Sequence, residues 1–335
     1  MVIGWYVHHH GYGHLSRFLA VQPHLRVPVA AFSSLPRPAG LDGSVPWTQL
    51  PPDADVVVQP DGSLCDPREA DPTARGHLHW APHGHPGHRA RLARIADAAV
   101  ARDLRVLVAD VSAEVAVFAR LLGLRTVVVT QPGDRTDAPH ALAYDLADRI
   151  LAPWAHGIVP SAALADRGDR VVWTGGISRY DGRAASLPLP GRSVLFLGRT
   201  LEPEVRATAA AALSARGWTV DAIGHDAASR VDDPWPLLSS RTVVVSAAGQ
   251  NSVADLAAAG ARAVVIAQER PFDEQQRTAD ALRSAGLARV APADVSADEL
   301  VAHVEGAAGD APDWSRWQVA GAARRFAEAV EAMLP

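Results

Sequence analysis

The 335-residue chain contains no lysine, so all 32 of its Lys/Arg positions are arginine. That absence excludes a Walker A phosphate loop and Schiff-base chemistry, and with them P-loop kinases, pyridoxal enzymes and lysine aldolases. Cysteine is nearly missing as well. The single Cys65 allows neither a disulfide framework nor a multi-cysteine metal site, and it suits a reducing cytosol. No apolar run approaches the ~20 residues that a membrane span needs. The opening MVIGWYV runs straight into a loop, without the pattern of a secretory leader. A cytoplasmic protein is expected, with peripheral contact at the inner face of a membrane left open. The net charge of −5 comes without any basic block, which argues against nucleic acid as a partner.

What is present is an alternation of short β-branched runs with helix-forming segments, the pattern of parallel sheets covered by helices on both faces. Strands are expected at Val2–Val7, Val27–Phe32, Val106–Ala109 and Thr126–Thr130 in the first half. In the second half they are expected at Val171–Thr174, Ser193–Leu197, Thr219–Ile223, Val243–Val245 and Ala263–Ala267. The length suits two domains, each large enough for a core of its own. A Pro-, Gly- and Arg-rich stretch places a linker at 156–191, between an N-terminal domain at 1–155 and a C-terminal domain at 192–312. The tail, Trp314–Leu334, spaces Trp314, Trp317, Ala320, Phe326 and Val330 as one amphipathic helix.

The most informative stretch is Arg241–Gln276, RTVVVSAAGQNSVADLAAAGARAVVIAQERPFDEQQ. It reads as strand, glycine-bearing turn, helix from Ser252, C-cap at Gly260, strand and polar loop. A helix start just past the end of a strand offers unpaired N–H groups and partial positive charge to a phosphate. Gly249, Gln250, Asn251 and Ser252 would line that start. Asp255, one turn on, could accept ribose hydroxyls, and Asp273, Gln275 and Gln276 could bind sugar hydroxyls. Ser252-Val-Ala-Asp255 is equally a capping box, and the two roles are compatible.

These features resemble the C-terminal donor-binding half of glycosyltransferase family 28. That family carries a glycine turn, an acid on the first helical turn, a small-residue run ending in Gly and a loop ending D-x-Q-Q. Here they are Gly249, Asp255, Ala257–Gly260 and Asp273-Glu-Gln-Gln276. The family's usual Glu is Asp255, one methylene shorter. Val231-Asp-Asp-Pro-Trp-Pro-Leu-Leu238 is similar to the loop that holds the nucleotide base, which makes Val231 a nucleotide contact. The resemblance implies the GT-B fold: two doubly wound Rossmann-like domains facing a central cleft, with the tail at 313–335 returning to the N-terminal domain.

At the N-terminus, Val7-His-His-His-Gly-Tyr-Gly-His14-Leu-Ser-Arg17 follows the first strand. Gly11 and Gly13 permit a tight turn with close backbone approach. A dinucleotide fingerprint is not complete, because the third glycine and the acid ~20 residues on are missing. His14 matches the histidine of the family's G-G-x-G-G-H loop. Gly11-Tyr-Gly-His-Leu-Ser-Arg17 is also similar to the G-x-G-H-x-x-R loop of the pseudaminic-acid-pathway sugar-nucleotide hydrolases.

Attack by a hydroxyl needs a positioned base, for which His is suited near neutral pH. His14 is the expected base and Asp110, past a strand end, its partner or an alternative base; Asp110 as a plain helix N-cap stays open. Arg199 could meet the diphosphate, or be an ordinary surface arginine. His8–His10 and the cluster His77, His79, His83, His85 and His88 lack metal-ligand spacing, so no metal is expected. The segment 77–88, with Trp80, is expected as an irregular loop on the acceptor side. The loop around Gln131 keeps only one residue of the family's H-E-Q-N, implying a different acceptor. The resulting expectation is an inverting, metal-independent glycosyltransferase with a UDP-sugar co-substrate, an unassigned hydroxyl acceptor and no resident cofactor. A sugar-nucleotide hydrolase or 2-epimerase of the same fold is the alternative.

Overall fold

The computed structural model describes residues 1–59 and 61–335. Fourteen strands are named in chain order: β1 (Val2–Tyr6), β2 (Val29–Ser33), β3 (Trp47–Gln49), β4 (Val57–Val58), β5 (Leu64–Cys65), β6 (Leu104–Asp110), β7 (Arg125–Val129), β8 (Arg149–Ala152), β9 (Val171–Trp173), β10 (Ser193–Leu197), β11 (Thr219–Ile223), β12 (Val243–Ala247), β13 (Ala263–Ile266) and β14 (Arg289–Ala291). The helices are α1 (Gly13–Val21), α2 (Pro86–Ala101), α3 (Ala113–Leu121), α4 (Ala138–Leu146), α5 (Pro203–Ala215), α6 (Trp235–Leu238), α7 (Gln250–Ala259), α8 (Glu274–Ser284), α9 (Ala297–Ala307) and α10 (Ala322–Glu331).

Two parallel sheets organise them. The first runs β3-β2-β1-β6-β7-β8-β9 and the second β11-β10-β12-β13-β14, while β4 and β5 form a small antiparallel hairpin. Strand order reverses beside β1 in the first sheet and beside β10 in the second. At such switch points the loops leaving neighbouring strands diverge and open a crevice at the carboxyl ends, where ligands bind. The loops at Gly13, Asp110 and Gly249 all leave strands at these places.

The strands are apolar because helices cover both faces. Ile3, Val106, Val108, Val127 and Val129 are fully buried in the first sheet, as are Val194, Val243, Val245 and Val264 in the second.

Three expectations are corrected. Val171–Thr174, assigned from the sequence to the second half, is β9 and pairs with β8 (Ile150↔Val171) as the last strand of the first sheet. The crossing between lobes therefore follows 173 rather than 155. Gly175 and Gly176 make it narrow: a Cβ on either would collide with the Gln318 carbonyl or the Trp317 indole. The helix expected from Ser252 starts earlier, with Gly249 as N-cap and no side-chain cap, so Ser252 and Asp255 form no capping box.

The tail is not one helix. Trp314–Trp317 is a 3₁₀ turn that packs on the second lobe, with Trp314 Nε1 donating to the Ala261 carbonyl at 2.8 Å. Left-handed Gln318 (φ 55°) and Gly321 (φ 72°) break it before α10. α10 packs on the N-terminal lobe, where its Phe326 stacks on Trp5 at 5.4 Å.

Candidate active site

α1 and α7 start on opposite lobes and their N-termini meet across a cleft of about 560 Å³. Neither N-cap residue, Tyr12 or Gly249, makes a side-chain capping bond. First-turn N–H groups at helix ends have no intrahelical acceptor, so both ends bring partial positive charge to the cleft. The lobes are joined there: Asn251 Nδ2 donates to the Gly13 carbonyl at 2.8 Å.

Behind α1 lies a fully buried carboxylate. Asp110 ends β6, and its Oδ1 accepts from Arg17 Nη1 at 2.6 Å and faces His14 Nδ1 at 3.0 Å. Burial alone would raise the Asp110 pKa. The Arg17 guanidinium and then His14 outweigh burial and hold it below the ordinary carboxylate value. An ionised carboxylate can only accept, so His14 Nδ1 carries a proton, and in the neutral tautomer this selects, Nε2 holds the lone pair. His14 lines the cleft. This is a histidine oriented by a carboxylate, as a general base requires.

Arg17 also spans the lobes, donating through Nη2 to Gln250 Oε1 at 2.9 Å. His14 and Arg17 stand three residues apart on α1 and so share a face. That spacing, within G-x-G-H-x-x-R, is the sequence feature that could have marked Arg17.

The expected residues separate into two groups. Gly13, His14, Gly249, Gln250, Asn251, Ser252 and Gln275 line the cleft, with Asp110 immediately behind His14. The others do not. Gly11 lies on the exposed part of its loop. Arg199 donates to the His225 carbonyl, and Val231 is 45% exposed on the second lobe. Left-handed Asp273 precedes α8, and Gln276 reaches back along that helix to Asp280 at 3.1 Å. The Asp255 carboxylate, expected to meet ribose, accepts Ser178 Oγ from the interlobe segment at 2.6 Å. Its burial raises the pKa to about 6 against the hydrogen bond from Ser178 and the charge of Arg179.

The opposite wall was not anticipated as a site, although its segment 77–88 was expected on the acceptor side. It comprises His79, Trp80, Glu114, Arg135, His140 and Phe272. Asp137 takes hydrogen bonds from His79 Nε2 (2.7 Å) and from His140 Nδ1. Arg135 donates to His140 Nε2 at 3.2 Å, and burial lowers the His140 pKa to about 4. Ligand-capable atoms of His79, Asp137 and His140 come within 4.8 Å of one another. The bonds to Arg135 and Asp137 nevertheless occupy both nitrogens of His140 and leave it no lone pair for a cation.

Phe272 enters this wall from the second lobe. Its ring meets His140 at 4.8 Å and lies under Arg135 at 4.6 Å, while its carbonyl accepts the Asp134 N–H at 2.8 Å. Phe272 and Asp273 are both left-handed (φ 62° and 56°), a conformation rare for bulky residues and one that the surroundings must enforce.

Residues 228–316 match the glycosyltransferase family 28 C-terminal domain. The family 28 segment covers α6 through the Trp314 turn, and so contains the α7 start and the Phe272 loop. Among solved structures, the kitacinnamycin glycotransferase aligns over 100% of this chain and 99% of its own, with 16% identity and a TM-score of 0.66. Acinetobacter baumannii MurG aligns over 99% of both chains at 16% identity and 0.61. Spinosyn rhamnosyltransferase SpnG complexed with thymidine diphosphate aligns over 99% of this chain and 96% of its own at 19% and 0.59. No curated protein matches the chain in sequence. At these identities the structural likeness establishes architecture, and the architecture is GT-B. The family 28 domain on this scaffold makes the chain a glycosyltransferase by class. Among the described residues, no helix is long and apolar enough to cross a membrane.

Proposed function

We propose that this enzyme moves a sugar from a nucleoside-diphosphate donor, a UDP-sugar, to an acceptor hydroxyl, with inversion and without a metal. The observation that carries the proposal is the His14–Asp110 pair facing the open start of α7 across one cleft. Nε2 of His14 takes the acceptor proton while the acceptor oxygen bonds to the anomeric carbon and the diphosphate leaves from the opposite face. Asp110 stays ionised and stabilises the imidazolium that forms.

The leaving diphosphate gathers charge as the bond breaks. Fixed N–H groups and cations aimed at such charge are worth several kcal/mol in a water-poor site. The α7 start, with Gly249, Gln250, Asn251 and Ser252, would hold the diphosphate, supported by the positive ends of both helices and the arginines of the cleft. Gln275 would bind the sugar. SpnG, solved with thymidine diphosphate, has the same scaffold, which supports a nucleoside diphosphate here.

UDP release from UDP-sugars is the direct test. Release that depends on added acceptor is expected; release in water alone would indicate hydrolysis, and exchange between two sugar nucleotides would indicate epimerisation. His14→Ala should lower kcat by about 10²–10⁴-fold and leave donor affinity unchanged. Full turnover in that variant would refute His14 as the base.

A further inference from the structure

A second cavity of about 150 Å³ opens off the cleft inside the N-terminal lobe. Its apolar wall is made by Tyr6, Trp80, Leu92, Ile95 and Val115. The charged groups in it already have partners in the protein, Glu114 accepting from the His79 and Trp80 N–H groups and from Ser112 Oγ. Arg91 donates to Tyr6 Oη (2.8 Å), Ser34 Oγ (2.7 Å), the Pro51 carbonyl (3.0 Å) and Asp53 Oδ1 (3.1 Å), and His88 Nδ1 lies 3.2 Å from Asp53 Oδ2. His9 Nδ1 is buried there with no partner among the described residues.

The mouth lies beside the base. His8 and Ser112 border both the cavity and the cleft, and the His8 ring centre is 5.4 Å from that of His14. The His10 N–H donates to His8 Nδ1 at 3.2 Å. Burial, followed by the charge of its histidine neighbours, depresses the His8 pKa and keeps the ring neutral. Its Nε2 therefore carries the hydrogen and can donate at the mouth.

We propose that this cavity is the acceptor subsite and that its occupant is a single aromatic ring carrying the hydroxyl that is glycosylated. The proposal rests on the transferase reading of the cleft and names its acceptor class. Size decides first: an apolar cavity of about 150 Å³ accommodates one benzene-sized ring, too little for a fused polycycle or a long acyl chain. Polarity decides next. A sugar acceptor would bury several hydroxyls against walls whose charged groups are already paired and where, among the described residues, only His9 Nδ1 is buried without a partner, at a cost of about 1–3 kcal/mol for each hydroxyl left unpaired. A flat ring lying against Tyr6 or Trp80, both in the lining, gains aromatic contact and needs one hydrogen-bonding point, which the mouth provides beside His14.

The test is binding, read by saturation-transfer NMR on the full-length protein with phenol, methyl glucoside and 1-octanol as probes. Phenol should bind, and the other two should bind at least 10-fold more weakly. Ala54→Trp, at the exposed rim, should weaken phenol at least 10-fold with UDP affinity unchanged. Leu92→Phe, filling the cavity from a half-buried helix position, carries the same expectation should the first variant fold poorly. Equal phenol affinity in a folded variant, or preference for methyl glucoside or octanol, would overturn the assignment. Phenol binding without UDP binding would keep the pocket and sink the transferase reading. UDP binding without phenol binding would sink the pocket alone.

Discussion

Substituting Asn for Asp255 should change how stability depends on pH. The Asp255 side chain is only 17% exposed, and burial lifts its pKa from 3.8 to about 6. A folded-state pKa above the unfolded one means the native protein holds this proton more tightly. That stabilisation is complete below pH 3.8 and is lost as pH rises through about 6. A shift of about two units, at ~1.4 kcal/mol per unit, sets an upper bound on the order of 3 kcal/mol. Water at the partly open side of the carboxylate reduces the figure. Asp255→Asn keeps an acceptor for Ser178 Oγ but cannot titrate, so relative to wild type it should gain stability between pH 4 and 7. Urea unfolding of both proteins at each pH isolates this group, since all other titrations cancel in the difference. A difference that stays flat within about 0.5 kcal/mol would show that the carboxylate is solvated, and would refute the buried contact with the interlobe segment.

Arg17→Met should destabilise the fold by about 3–5 kcal/mol, because it strands the fully buried Asp110 carboxylate. Arg17→Lys should recover only part of this, since an ammonium cannot fork between Asp110 and Gln250; urea midpoints of the two variants give the comparison. Gly133→Ala should cost about 1–3 kcal/mol: φ is +114° there and the new Cβ would meet the Phe272 carbonyl. The same unfolding assay, with a fall in kcat/KM, would register the disturbed lobe contact. Phe326→Ala should lose about 3–5 kcal/mol, because its ring is fully buried against Trp5; an unchanged melting temperature would contradict the docking of α10.

The parts of this molecule that could be read from sequence are those fixed by local chemistry. A β-branched run followed by Gly11-Tyr-Gly-His14 or Ala248-Gly-Gln-Asn251 is a strand that turns sharply into a helix. The C-terminal ends of parallel strands are where such turns form crevices, so His14, Asp110 and the α7 start were legible. Partnership was not. The Val171–Trp173 run is strand-like by composition, but its sheet is decided by β8, whose four residues Arg149–Ala152 are too short to stand out. Asp255 looked like a ligand-binding acid because its helical position is visible, whereas Ser178 lies 77 residues away. Phe272 carries no marker at all, since its left-handed backbone is imposed by the opposite lobe.

The contacts that hold the lobes together are also those that build the candidate base. Arg17 fixes Asp110, Asp110 orients His14, and the other arm of Arg17 rests on Gln250 at the start of α7. A guanidinium cannot keep both arms engaged unless α1 and α7 are at this separation. Opening the lobes would break the Gln250 and Asn251 bonds and withdraw Phe272 from its packing against Arg135 and His140. The histidine keeps its carboxylate in either state, but only the closed one places the α7 N–H groups opposite it. Closure and completion of the charge-stabilising surface are thus one event, and a donor that bridges the lobes would favour it. Gln250→Ala, which spares the direct Arg17–Asp110–His14 contacts but frees the second arm of Arg17, should lower kcat without altering the folding of either lobe, and an unchanged kcat would refute the coupling.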